Sequence, residues 1–227
     1  MFGLSGCIKP GNNVECLDLM PAIAGFSFDA FQPTLTIQGL NYIAPDLMSD
    51  FFTVVNEGDV LIVSFCIDYS QQPYECCYMV SDLIYDKIDK EWPYSTTGGE
   101  SVTGDFNLPI ESITLYGLEQ NIMFFIFSHR APRDQKISYE MTYDRDKTEN
   151  PILYIRAKKM GDSSSGETDI RNICAFDMYS FFSYFKDSSN KVSFEIQFKT
   201  GVDEDGKDKY ERYSHPSMGY IIEIPFE

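Results

Sequence analysis

The stretch Val192-Ser193-Phe194-Glu195-Ile196-Gln197-Phe198-Lys199-Thr200 decides the fold class. Apolar residues stand at 192, 194, 196 and 198, and polar ones at 193, 195, 197 and 199. Side chains of a strand alternate between faces, so this period of two means one buried face and one wet face. Comparable short runs rich in β-formers lie upstream and downstream, at 112–116, 122–127, 136–143, 152–158, 173–178 and 219–225. Polar turns separate them, which predicts a β-sandwich or barrel. The run Tyr179 to Phe185 (YSFFSYF) breaks the alternation and reads as a short helical turn plugging one end of the sandwich.

The first half of the chain is also β-rich. Residues 60–69 (VLIVSFCIDY) are apolar on both faces, as in a strand buried on both sides, and Asn56-Glu57-Gly58-Asp59 is the turn that launches them. A short strand is expected at 34–39. After the turn Gln71-Gln72-Pro73, residues 74–88 read as a strand with Tyr78, Val80 and Leu83 inward, or as a helix over 81–88. Between the halves, Pro93, Ser95, Thr96, Thr97, Gly98, Gly99, Ser101 and Gly104 give residues 92–108 the composition of a linker. The expected organisation is a lipobox and tether over 1–25, a small β domain over 26–91, the linker, and a sandwich over 109–227.

With 227 residues, 43% hydrophobic and 15% aromatic, the chain can bury real cores. A net charge of −17 repels phosphate backbones, and no basic patch interleaved with aromatics exists, so nucleic acid is excluded as a partner. No apolar run is long enough for a membrane-spanning helix. Leu4-Ser5-Gly6-Cys7, however, reads as a lipobox, which makes Cys7 an acylated anchor in the membrane of the cell envelope. Each buried acyl methylene contributes roughly 0.8 kcal/mol, so two or three chains hold permanently. Acylation of Cys7 leaves Cys16, Cys66, Cys76, Cys77 and Cys174, an odd number. Adjacent Cys76 and Cys77 are expected on opposite faces of a strand, and Cys66 and Cys174 as small buried hydrophobes. No cysteine spacing suits zinc, and no cofactor is implied.

Few residues point to chemistry. Asp203, Asp205 and Asp208, around Gly206, resemble part of a calcium loop, though a plain exposed hairpin loop explains them more simply. Trp92 and Tyr94 stand in a Pro/Gly-rich segment, where exposed rings would stack on a sugar and buried ones would pin the segment to a domain. His129 follows Ser128, but no nucleophile elbow accompanies them, so it reads as a turn residue at a strand end. Asp177, Glu195 and Glu223 would have to face one another to act as a hydrolytic carboxylate pair.

The order of the C-terminal motifs carries a family resemblance. Met123-Phe124-Phe125-Ile126 is followed by Ile137-Ser138-Tyr139, then Leu153-Tyr154-Ile155-Arg156 with Gly161-Asp162 after it, then Cys174-Ala175-Phe176-Asp177-Met178. This looks like the NigD-like lipoproteins of Bacteroidetes, over residues 107–227 and more weakly over 35–90. Where a His often follows the arginine in that family, this chain has Ala157-Lys158, which removes any role for that His. The resemblance implies an all-β chain with an N-terminal OB-like small barrel followed by a C-terminal β-sandwich. It also implies an exported lipoprotein of the periplasm or outer membrane. The expectation is therefore a non-catalytic binding or assembly module, held at the membrane by its lipid and with an unknown protein or glycan partner. The alternatives are a glycan-binding accessory lipoprotein using Trp92 and Tyr94, and a carboxylate-dependent hydrolase.

Overall fold

A bulged first strand explains most of what the sequence hides. In a computed structural model, residues 13–225 are described, except Cys76, Ser164 and Tyr220. The lipobox and Cys7 lie outside the described residues, as does the relative facing of Cys76 and Cys77. The chain forms two units, one ending at Lys90 and one beginning at Glu91.

The first unit is a closed five-stranded barrel built from β1 (Val14–Ser27), β2 (Gln32–Ile37), β3 (Leu40–Ile43), β4 (Val60–Asp68) and β5 (Tyr78–Ile88). The strands run β1-β2-β3-β5-β4 around the barrel, and β4 pairs back onto β1. Neighbours are antiparallel except β3 and β5, which are parallel. The described part of the expected tether is thus strand from Val14 onward. It does not read as one because its pairing with β4 shifts register between Leu17 and Met20, with Leu19 at φ 55°. A bulge resets the alternation, so no single period of two survives. Segment 81–88 is strand rather than helix, and a second register shift between Ser64 and Cys66 blurs its pattern too. Strand β4 is buried on both faces only over Val60–Val63 and alternates beyond that.

Leu35, Ile37, Leu61, Val63, Phe65 and Ile67 fill the barrel interior, and Leu47, Phe51 and Val55 from the β3–β4 connection join the same cluster. Asp46 and Asp50 tie that connection to β5. Asp46 accepts the Leu83 N–H at 3.2 Å and Asp50 accepts the Tyr85 hydroxyl at 2.5 Å, which pushes the phenol up to about 12.

Cys66 is not a small buried hydrophobe. It is bonded to Cys16 directly opposite on β1, with Cα atoms 4.0 Å apart. Cys16 is exposed and Cys66 half-buried, so the bridge lies on the outside of the barrel. Cys174 is buried as expected.

Strand β6 (Lys90–Glu91) falls at the boundary, and the second unit goes on with β7 (Tyr94–Ser95), β8 (Ser112–Glu119), β9 (Ile122–Pro132), β10 (Lys136–Tyr143), β11 (Ile152–Met160), β12 (Glu167–Asp177), α1 (Tyr179–Phe185), β13 (Lys191–Val202), β14 (Asp208–Arg212) and β15 (Ile222–Pro225). One sheet runs β14-β13-β11-β10-β7, with β15 also on β13, and the other runs β6-β12-β9-β8. Phe125, Phe127 and Phe176 of the second sheet share one core with Met141, Leu153, Ile155, Phe194, Ile196 and Phe198 of the first. The alternating run at 192–200 therefore buries the face its pattern announces. Helix α1 seats Phe181 and Phe182 against Phe194, as the plug read from YSFFSYF.

Candidate binding surfaces

The segment 92–108 has the composition of a linker, yet it is wired to the larger sheet. Tyr94 and Ser95 pair in parallel with Thr142 and Tyr143 of β10. Leu108 bridges to Ala157. Between them, the carbonyl of buried Gly99 accepts hydrogen bonds from Thr142 Oγ1 and Arg156 Nη2, both at 2.6 Å. Gly99 has φ +75°, and a Cβ there would meet the Tyr154 ring at 2.3 Å, so only glycine fits. Arg156 is buried and stands 3.6 Å from buried Glu140, whose other oxygen accepts the Val102 N–H at 2.9 Å. A buried charge pair costs desolvation and is held only where hydrogen bonds satisfy it. Here those bonds fasten the segment, and a composition-based reading has no access to them.

Trp92 and Tyr94 lie on this fastened segment. They are 51% and 47% exposed, so each keeps about half of its surface open to solvent.

The acidic hairpin between β13 and β14 does not gather its carboxylates. Asp203 turns onto its own loop, accepting the N–H groups of Asp205 at 3.0 Å and Lys207 at 2.8 Å. Asp208 points instead to the sheet, 2.5 Å from buried Lys199 and 3.9 Å from Arg156, and accepts the Tyr210 hydroxyl. Asp205 remains exposed at the turn. Among the described residues, no three His, Cys, Asp or Glu side chains converge as metal ligands do.

The three carboxylates considered for hydrolysis are likewise spent separately. Glu195 is 2.7 Å from Arg212 and Glu223 is 2.7 Å from Lys191. Asp177 accepts the Tyr179 N–H at the start of α1.

His129 is a buried member of β9, not a turn residue. Its Nδ1 lies 2.9 Å from the Pro109 carbonyl and its Nε2 lies 2.9 Å from the Tyr139 hydroxyl. Burial holds the imidazole below its usual pKa, which favours the neutral form. The strand is longer than the apolar run that announced it, which is why the residue seemed to stand at its end. Beside Pro109, an open depression of about 530 Å³ is lined by Arg130, Lys158 and Lys159 together with Asp105 and Glu167. Lys158 lies 3.4 Å from Asp105 and Lys159 lies 3.4 Å from Glu167. This cleft is mixed in charge rather than a focused anion site.

The barrel carries a surface that sequence reading did not single out. Phe26 is ringed by Phe28, Phe31, Phe51 and Phe52, with centroids 5.4 to 5.7 Å away. Phe51 is buried, but Phe28, Phe31 and Phe52 are 80%, 68% and 67% exposed. Phe31 and Phe52 have φ of 54° and 69°. A left-handed conformation costs a bulky residue about 1–2 kcal/mol, and glycine or asparagine is its usual occupant. The only hint in the sequence is the density of Phe at 26, 28, 31, 51 and 52, which reads equally well as core.

No protein-family model and no curated protein matches the chain. Solved structures do. An uncharacterised protein from Parabacteroides merdae superposes with a TM-score of 0.72 at 15% identity, covering 92% of this chain and 98% of its own. A provisionally named lipoprotein from Bacteroides fragilis gives 0.59 at 13% identity, covering 94% and 98%. A NigD-like immunity protein from Bacteroides caccae gives 0.52 at 12% identity, covering 90% and 95%. At these identities the likeness is one of fold, and it runs nearly end to end through both units. The resemblance read from the motifs is therefore matched in three dimensions: the chain has the fold of a NigD-like protein of Bacteroidetes.

Proposed function

We propose that the protein is an exported, lipid-anchored protein of the cell envelope that works by binding rather than by catalysis. The Cys16–Cys66 bridge carries this reading. Structural disulfides persist in oxidising compartments and are rare where thiols are kept reduced. An external cross-strand bridge suits a chain that leaves the cytoplasm, as the lipobox at Cys7 requires. The barrel order, with β3 and β5 parallel, fits an OB-like barrel, and the fold shared with a provisionally named lipoprotein is consistent with an envelope role. For the activity, the carboxylates weighed for hydrolysis are each engaged elsewhere, whereas aromatic rings are held outward. An apolar patch of this kind favours a protein partner.

The test is metabolic labelling of the native gene product with a palmitate analogue, comparing the wild type with Cys7→Ala. Label and membrane fractionation lost in the variant support the reading. Equal, unlabelled soluble protein in both sinks the anchor and the compartment.

The exposure of Trp92 and Tyr94 favours a second reading, a glycan-binding platform on the second unit. Trp92→Ala would then weaken retention on immobilised envelope polysaccharide while leaving the fold intact. Unchanged retention removes this alternative.

A further inference from the structure

We propose that the exposed rings of Phe28, Phe31 and Phe52 form the docking site for a basic protein partner, whose apolar side chains sit on the rings and whose cations meet the surrounding acids. This deepens the binding role proposed above but does not depend on the lipid anchor.

Three observations combine. The rings are exposed, yet they are not loose, because Phe26 and Phe51 join them to the barrel core. Rigid aromatic anchors on a packed base are what protein interfaces use as their energetic centres. Next, the backbone is bent into a left-handed conformation at two of the three positions, Phe31 and Phe52. A chain selected for stability alone would place glycine or asparagine there, so retaining phenylalanine points to a use for the outward ring.

The charge then chooses the occupant. From Phe26 to Asp59 there are five acids (Asp29, Asp46, Asp50, Glu57 and Asp59) and no Lys, Arg or His. Over residues 1–90 there are twelve acids against three lysines. Lys87 lies 2.6 Å from Asp59 and donates to the Val54 carbonyl, so this cation is already matched. An anionic lipid surface or a second copy of this acidic chain meets like charge here. A membrane-inserting aromatic face also uses lysine or arginine to hold headgroups, and the stretch 26–59 that carries these rings has none. A cationic, partly apolar protein surface meets complementary charge and rings together.

The probe is a synthetic amphipathic peptide of alternating lysine and leucine, titrated calorimetrically into the full chain and into Phe28→Ser/Phe31→Asn/Phe52→Asn. The expected result is binding by the wild type that weakens with added salt. The triple variant should lose about tenfold or more, as removal of central anchors does. Its thermal midpoint should not fall, because asparagine suits both left-handed positions. An analogue with serine for leucine and one with glutamate for lysine should both fail to bind. Equal binding by wild type and variant overturns the proposal, and so does equal binding of the glutamate analogue. Two other results would replace it: neutral phosphatidylcholine vesicles bound only by the wild type, which would mean a membrane face, or a dimer in sedimentation lost in the variant, which would mean self-association. Because the assay uses purified chain in solution, its failure leaves the palmitate result untouched, and the reverse also holds.

Discussion

Replacing both Cys16 and Cys66 with alanine should cost the barrel about 4 kcal/mol. The two positions are separated by 50 residues, and cross-linking a loop of that size removes this much chain entropy from the unfolded ensemble. The native state contributes little to the difference, because Cys16 is exposed and Cys66 half-buried on the outside of the barrel, where truncating a sulfur leaves no cavity in the core. The double replacement avoids a lone thiol. For a unit of roughly 90 residues, each kcal/mol moves the thermal midpoint by about 4–8 °C, so the loss should amount to roughly 15–30 °C. Scanning calorimetry reads the barrel transition directly. Fluorescence provides an internal control, since the single tryptophan, Trp92, belongs to the second unit and its transition should hold still. Reducing agent should reproduce the shift in the wild type and do nothing to the variant. A change under about 1 kcal/mol, or an equal shift of the Trp92 transition, would refute the argument that this bridge staples the barrel by constraining its unfolded chain.

Further outcomes are expected from the second unit. Arg156→Ala leaves Glu140 buried without its cation and the Gly99 carbonyl with Thr142 Oγ1 as its one remaining side-chain donor, and should destabilise by about 3–5 kcal/mol in urea titration; a loss under 1 kcal/mol contradicts the buried-pair account. Gly99→Ala should force the 92–108 segment off the sheet, shifting Trp92 emission to the red at temperatures where the sandwich is still folded; unchanged emission means the Tyr154 ring can move aside. His129 is held below its ordinary pKa of 6.5, so the unfolded chain takes up the proton first as pH falls. Its contribution is complete above 6.5 and is lost on acidification through the folded pKa. The urea midpoint should drop between pH 7.5 and 5.5 by more in the wild type than in His129→Gln, and parallel drops would exclude this residue as the cause.

The sequence by itself determined the all-β class and nearly every strand of the sandwich, because a two-residue period with one face buried is a local property. The run at 192–200 and the plug at 179–185 both belong to this kind. It also displayed the net charge of −17. Tertiary structure alone decided the rest, and in each case the cause is non-local. Strand β1 vanished from the pattern because its bulge is set by pairing with β4, some 45 residues away. The apparent linker became a fixed part of the sandwich through Arg156 and Glu140, two strand residues whose partners lie in the distant 99–102 stretch. Cys16 and Cys66 became one bridge only because the barrel closes β4 onto β1. The five phenylalanines of the barrel face are indistinguishable from core until the fold turns three of them outward, because hydrophobicity states what a side chain avoids and only packing shows whether that need was met.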